Sequence, residues 1–474
     1  MTEISRELTE AQQTEQPQVA AQLIYGLNDR PPVTESIFVA LQHVLAAFVG
    51  IITPPLIICT TLNISPTETS YLVSMALFIS GLATFLQVKR FGSVGSGLLS
   101  LQGTSFAFLG SIIGIGTAVV QAGGTPQAAL ARIFGVCLCG AFVQIIFSRF
   151  LHLAQRIISP VVSGTVVMII GLSLIKAGFV SMAGGIAAQQ NGTFGSLQNL
   201  GLSGLVLAVI VFFSVSRNRY LRMGAIAIGL VVGYIVSIFL GIVDFSVFSE
   251  LPLISIPLPL RYGLSFDFAS FIPFVFLYIL TSIETIGDLT ATSAITKQPV
   301  KGSLYMRRIK GGILGDGINC VVAALFNTFP VTTFSQNNGV IQMTGVGSRY
   351  VGFFIAGILA ILGLVPIVGG IFQSLPQPVL GGATIVMFGA ISVAGMNIIS
   401  SVKLDRRALI IVAVSLAVGL GVVYVPEIFN DKPAVIKNIF SSATSTGGLT
   451  ALLLNWLLPE IPDVEEQTIP ELDV

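Results

Sequence analysis

From residue 37 to residue 458 the chain repeats one pattern: an apolar stretch, most often long enough to cross a bilayer, then a short polar or basic connection. Fourteen such stretches lie near 37–62, 70–88, 98–120, 129–148, 157–181, 200–216, 222–243, 269–293, 311–328, 331–345, 350–372, 377–399, 405–425 and 434–458. Hydrocarbon offers no water to backbone N–H and C=O groups, so each stretch must close its own hydrogen bonds, which a helix of about 20 residues does. Charged residues make up only 9% of the chain, against roughly 25% in soluble domains. The expected fold is an all-α polytopic membrane protein.

Two stretches depart from this pattern. The third begins with Gly95-Ser96-Gly97-Leu98-Leu99-Ser100-Leu101-Gln102-Gly103-Thr104-Ser105, and the tenth with Thr328-Phe329-Pro330-Val331-Thr332-Thr333-Phe334-Ser335-Gln336-Asn337-Asn338-Gly339. Both are rich in residues that break helices, and the tenth is too short for a full span. Interrupted spans at corresponding places in two halves point to a binding site near the membrane midplane.

A repeat supports the two halves. Gln155-x4-Pro160-Val161-x2-Gly164-x6-Gly171 recurs 218 residues later as Gln373-x4-Pro378-Val379-x2-Gly382-x6-Gly389. Seven spans separate the copies, so they enter the membrane in opposite directions. Basic residues set the orientation: seventeen Lys and Arg fall in connections on one side, and only Arg132, Arg261, Lys432 and Lys437 on the other. That asymmetry places the first side, with both termini, in the cytoplasm.

The net charge of +1 speaks against a nucleic-acid partner. Cys59, Cys137, Cys139 and Cys320 all lie in apolar stretches, which implies neither a disulfide framework nor a metal site. The N-terminus lacks the pattern of a signal peptide and reads as a flexible cytoplasmic tail. His152 falls in a loop and is given no role.

Only three carboxylates, Glu284, Asp288 and Asp316, lie inside spans. Such groups cost about 2.5–3.5 kcal/mol each at a helix centre, so they mark sites facing protein or water. Glu284 and Asp288 are four apart and share a helix face, with Thr281, Thr285 and Thr292 on or next to it. The bland alternative is a buried pair tied off by hydroxyls. A site carboxyl can carry a proton or, when ionised, accept N–H bonds from a ligand. Asp316 sits between Gly315 and Gly317, where it either serves the site or holds backbone amides. Gln336 offers one acceptor and two donors on a planar amide, suited to the edge of a nucleobase; otherwise it joins helices. His43, alone on its helix, reads as a structural hydrogen-bonding residue. Phe106 follows the third interrupted stretch and offers a ring for stacking.

These residues also carry a resemblance. Gln336-Asn337-x-Gly339-x4-Thr344-Gly345, Glu284-Thr285-Ile286-Gly287-Asp288, Gly311-Gly312-Ile313-Leu314-Gly315-Asp316-Gly317, Gln42-His43 and Ser96-Gly97-Leu98-Leu99-Ser100-Leu101-Gln102 resemble the motifs of the nucleobase–ascorbate transporters, nearest the bacterial xanthine permeases. The resemblance implies fourteen segments in two inverted sevens, with short strands in segments 3 and 10. It implies a core domain from segments 1–4 and 8–11 and a gate domain from 5–7 and 12–14, within a transporter domain at 31–460 flanked by cytoplasmic tails at 1–30 and 461–474. It also implies a homodimer in a bacterial inner membrane.

By the same resemblance Glu284 and Gln336 bind a purine nucleobase, with Phe106 and the backbone near Ser335 completing the site. Asp288, Asp316, His43 and Asn337 form the network for proton coupling and conformation. Ser105 departs from the Asn of some narrow xanthine permeases and leaves the substrate range open between xanthine and urate. The expected function is proton-coupled purine uptake, with no cofactor and no enzymatic activity. Uracil or an inorganic anion is the alternative cargo; acidic site residues speak against an anion. Asp288 and Asp316 lack the sequence surroundings of intramembrane aspartyl proteases, and a compact site on broken helices favours a transporter over a passive channel.

Overall fold

The computed structural model describes residues 23–459 except 152–158, 246–247, 249–250, 401, 403, 430–431, 434–435, 437–439 and 441. The first 22 residues of the expected N-terminal tail, the tail at 461–474, His152, Gln155 of the repeat, and Arg156, Lys403 and Lys437 of the orientation argument lie outside the described residues.

The helices in chain order are α1 (Val33–Thr61), α2 (Pro66–Lys89), α3 (Leu109–Gln121), α4 (Pro126–Arg149), α5 (Pro160–Met182), α6 (Gly185–Gln190), α7 (Leu197–Ser214), α8 (Arg219–Met223), α9 (Ala225–Phe239), α10 (Phe268–Ile295), α11 (Gly302–Leu325), α12 (Gln336–Thr344), α13 (Arg349–Leu364), α14 (Pro366–Gln373), α15 (Gln377–Ser400), α16 (Arg406–Tyr424) and α17 (Ala443–Leu457). Starts follow local chemistry. Pro66, Pro126, Pro160 and Pro366 occupy the first turn, where a missing N–H costs nothing. Thr125, Ser159, Asp267 and Asp405 cap helices by accepting N–H bonds from Ala128, Val162, Ser270 and Ala408.

Eight described helices are long and apolar enough to cross a membrane, or nine if α13 and α14 count as one span. Those two meet at a 75° bend, at Val365-Pro366, inside what the sequence suggests is one span at 350–372. Pro366 is the visible cause: it has no N–H to continue α13.

The third and tenth stretches are irregular, as expected. Each opens with a three-residue strand, β1 (Gln102–Thr104) and β2 (Val331–Thr333). They pair antiparallel, Gln102 opposite Thr333 and Thr104 opposite Val331. The Ser105 N–H to Pro330 O and the Phe334 N–H to Leu101 O extend the ladder at both ends. Every strand residue is buried, which is the condition for non-helical backbone at membrane depth.

Packing sorts the helices into two groups. α1, α2, α4, α10, α11 and α13 pack around the strand pair, while α5, α7, α9, α15, α16 and α17 pack with one another. The second group is built on α5 and α15, the helices that carry the two repeat copies. They run antiparallel: Gly164 faces Gly395 and Ile399, and Gly171 faces Phe388 and Ser392. The opposite orientation expected of the repeat is thus present as direct contact.

The close approach has a measurable consequence. A Cβ at Gly171 would lie 2.3 Å from Ser392 Oγ and 2.5 Å from Ser392 N, whereas at Gly389, its repeat counterpart, it would meet nothing within 4 Å. Gly171→Val should therefore destabilise the purified protein by about 1–3 kcal/mol and lower its Tm in detergent, while Gly389→Val changes Tm little. Equal effects at both positions would refute this account of the α5–α15 contact.

Candidate functional site

The two strands end where two helices begin. After β1 a short 3-10 turn (Phe106–Phe108) leads into α3, and after β2 the chain enters α12 at Gln336. The antiparallel pairing puts these two helix starts at opposite ends of the strand pair, and both Phe106 and Gln336 reach one cavity. Between them and the α5–α15 pair lies a cavity of about 230 Å3. Phe106, Ala107, Glu284, Thr332–Gln336 line one side, and Val167, Ile170, Ala390, Ile391 and Ala394 the other. The first wall is polar and the second is aliphatic.

The three carboxylates have different surroundings. Asp288 is buried on α10 and accepts hydrogen bonds from Ser335 Oγ at 2.6 Å and Thr333 Oγ1 at 2.8 Å. It therefore fastens the end of β2 and the start of α12 to α10. Asp316 is fully buried on α11 and accepts from Gln87 Nε2 at 2.6 Å and Thr285 Oγ1 at 2.5 Å. Gln87 also donates to Gly312 O and accepts from Ser96 N–H, so one amide joins α2, α11 and the approach to β1. Glu284, one turn before Asp288, is half-buried and lines the cavity. Among the described residues no hydrogen bond reaches its carboxyl.

Gln336 is the amide counterpart. It is exposed to the cavity and its side chain makes no hydrogen bond with a described residue. Asn337 and Asn338 point the other way. Asn337 donates to Leu99 O at 2.7 Å, while Asn338 accepts from Thr292 Oγ1 at 2.6 Å and donates to Asp288 O at 3.3 Å. His43 is buried on α1 with Asn337 as its polar neighbour, and neither ring nitrogen makes a well-formed hydrogen bond with a described residue.

The expected residues therefore separate by position. Glu284, Gln336, Phe106 and Ser335 meet at the cavity, although the Ser335 hydroxyl is bound to Asp288. Asp288, Asp316, His43 and Asn337 stand behind it. Ser105 is buried, its hydroxyl has no partner among the described residues, and it is not part of the cavity lining. Phe106 meets Phe388 of α15 edge to face, with ring centroids 5.8 Å apart, so its ring is part of the seam between the two helix groups.

Sequence reasoning overlooked Gln87 and the aliphatic wall. Gln87 had a signal, a lone amide near the end of an apolar helix; the small residues Ala390 and Ala394 had none, because alanine is ordinary in such helices. Among the described residues no group of three His, Cys, Asp or Glu could hold a metal ion.

Chemically, the cavity presents a free carboxylate, a free planar amide, two helix N-termini and an aromatic ring. That set matches a flat ligand carrying N–H donors and carbonyl acceptors on its edge.

Removing each carboxylate should have different effects on stability. Asp316→Ala strands Gln87 and Thr285, at about 1–3 kcal/mol for each unsatisfied group, and should lower Tm clearly. Glu284→Gln disturbs no hydrogen bond in the described structure and should leave Tm nearly unchanged. Thermal unfolding in detergent, followed by fluorescence, measures both.

Residues 34–428 match the model of a family described as "Permease family". Two xanthine permeases of Escherichia coli (strain K12) are similar to this chain: XanP, 49% identical over 442 residues covering 93% of this chain and 95% of that one, and XanQ, 49% identical over 437 residues covering 92% and 94%. The uric acid permease PucJ of Bacillus subtilis (strain 168) is 34% identical over 439 residues, covering 92% and 95%. Among solved structures, the transmembrane domain of the cyanobacterial bicarbonate transporter BicA matches with a TM-score of 0.55 at 16% identity, covering 91% of this chain and all of that one. Murine Slc26a9, an anion transporter solved in its inward-facing state, matches with 0.58 at 12% identity, covering 91% and 69%. At these identities the last two show the fold alone.

Proposed function

This chain belongs to the Permease family, the nucleobase–ascorbate transporters whose motifs it carries, and we propose that it imports purine nucleobases, xanthine first, together with protons. It is a multi-pass membrane protein and not an enzyme. One observation carries the substrate reading. Of the intramembrane polar side chains singled out, Glu284 and Gln336 face the cavity without a hydrogen-bond partner among the described residues. A carboxylate accepts ring N–H groups, and an amide answers an alternating donor–acceptor edge. An inorganic anion would meet the Glu284 charge at close range, so likeness of fold to anion transporters does not extend to the cargo. The names of the bacterial relatives support xanthine, and urate as a further substrate.

In this reading Asp288 and Asp316 serve coupling. Asp288 ties α10 to the strand end, so a change in its protonation alters the bonds to Ser335 and Thr333 that shape the cavity floor. The group around the strands acts as the core domain and the α5–α15 group as the gate. The aliphatic wall offers the ligand no hydrogen bonds, which suits a surface past which the loaded core slides. The asymmetry of basic residues supports both termini in the cytoplasm, and the resemblance supports a homodimer in a bacterial inner membrane.

Uptake of labelled xanthine by cells lacking their own nucleobase permeases tests the reading. Uptake should exceed that of empty-vector cells, be competed by urate, and persist in excess uracil. It should rise as external pH falls and vanish with a protonophore; accumulation that survives the protonophore but needs sodium excludes proton coupling. Glu284→Gln keeps the shape but loses a charge-assisted bond of about 1.5–3 kcal/mol, roughly a 10- to 150-fold loss of affinity, with membrane expression unchanged. Normal transport by that variant would remove Glu284 from the binding site.

The substrate range gives a separate test at Ser105. Its hydroxyl is buried without a partner among the described residues, one residue before Phe106 of the cavity lining, so the larger side chain of Ser105→Asn should crowd that lining and lower the urate-to-xanthine uptake ratio. An unchanged ratio means that Ser105 plays no part in selectivity.

A further inference from the structure

Three arginines from three separate elements converge at the end of the molecule where the basic residues collect. Arg90 follows the last turn of α2, Arg308 lies in the second turn of α11, and Arg349 is the first residue of α13. Backbone contacts bring these elements together. The Gly95 N–H donates to Gly311 O at 2.8 Å, one turn beyond Arg308. A Cβ at Gly352, one turn into α13, would touch Val88, two residues before Arg90.

Among the described residues the arrangement lacks a counter-charge. Arg308 is only 9% exposed. Its Nη1 and the Nε of Arg90 are buried without a hydrogen-bond partner among the described residues. Among the described residues, the charged neighbours whose fields reach Arg308 are Arg90 and Arg349, both repulsive. The two ion pairs among the described residues, Arg132–Asp267 and Arg261–Glu68, involve none of the three. Asp29 and Glu35, acidic residues near the start of α1, have carboxylate oxygens bound to the Gly26 N–H and the Tyr25 hydroxyl. Buried charges are normally paired, because an unpaired one is costly to desolvate. Three clustered guanidiniums with free N–H groups present forks that match phosphate oxygens bidentately.

We propose that Arg90, Arg308 and Arg349 form a binding site for a phosphate-bearing anion, supplied by an acidic phospholipid headgroup or by free phosphate. Clusters of basic residues between membrane helices are where such headgroups are held, and this one joins the ends of α2, α11 and α13. Those helices position Gln87, Asp316 and the strand pair, so an anion here stabilises the same framework from outside the cavity. The site does not depend on what the cavity transports.

The test uses the full-length protein, purified in a zwitterionic detergent and stripped of lipid. Tm is measured with added phosphatidylglycerol, with phosphatidylcholine, and with sodium phosphate against sodium chloride at matched ionic strength. Tightly retained phospholipid is counted by native mass spectrometry. If the source is lipid, phosphatidylglycerol raises Tm by several degrees, phosphatidylcholine does not, and one acidic lipid per protomer is retained. If the source is free phosphate, sodium phosphate alone produces the shift. In either case Arg349→Gln, at the exposed member, and Arg308→Gln, at the buried one, abolish the shift. Should Arg308→Gln fail to fold, Arg349→Gln alone decides. A phosphatidylglycerol shift of the same size in Arg349→Gln, or no shift with any of the phosphate compounds in the wild type, overturns the proposal.

Discussion

The antiparallel pairing of Gln102–Thr104 with Val331–Thr333 is the contact on which the interior depends. Two helices must be interrupted to place N-termini and polar side chains at a cavity inside the molecule, and each interruption frees backbone groups that hydrocarbon cannot satisfy. Neither strand could exist alone at that depth. Paired, each supplies the hydrogen bonds the other lacks, and α1, α2, α10 and α11 pack around them as protein walls. The start of α12, the place of Phe106 and the position of Gln336 all follow from that pairing.

The polar residues behind the cavity divide into groups that are bound and groups that are free. Asp316 is held from two sides by Gln87 and Thr285, and Asp288 by Thr333 and Ser335. These bonds join helices far apart in sequence and fix the geometry of the polar wall. Glu284 belongs to the same helix face but escapes such bonds, because its side chain emerges at the cavity, where neither the strands nor α11 covers it. A single helix thus carries one carboxylate that holds the framework and another, a turn away, that is open to a ligand.

Much of this was readable in the sequence. The polar interruptions at 95–105 and 328–339, the shared face of Glu284 and Asp288, and the repeat around Gly164 and Gly382 rest on periodicity and composition, and the structure contains each of them. The bend at Pro366 had a plain signal that the apolar run around it concealed. What the sequence could not supply is long-range partnership. Nothing local to Gln87 indicates that it faces Asp316, 229 residues later. Hydroxyls such as Thr285 look alike whether they bond the helix backbone or a distant carboxylate. Ser105 shows the same limit: its place beside a motif suggests contact with a ligand, but nothing local indicates that its hydroxyl is buried without a partner among the described residues.

The separation of the two strands in the chain also bears on how the protein is made. Gln102 waits for Thr333, and at about 5–20 residues per second the interval between their syntheses is roughly 10–50 s. Throughout that time the third segment has left the ribosome without the partner that completes its backbone hydrogen bonds. The nascent first half therefore cannot settle at its final depth. Its interrupted segment must stay near water or against the insertion machinery until the tenth arrives. A chain cut short before residue 333 therefore leaves the backbone of the third segment without the partner that completes its hydrogen bonds.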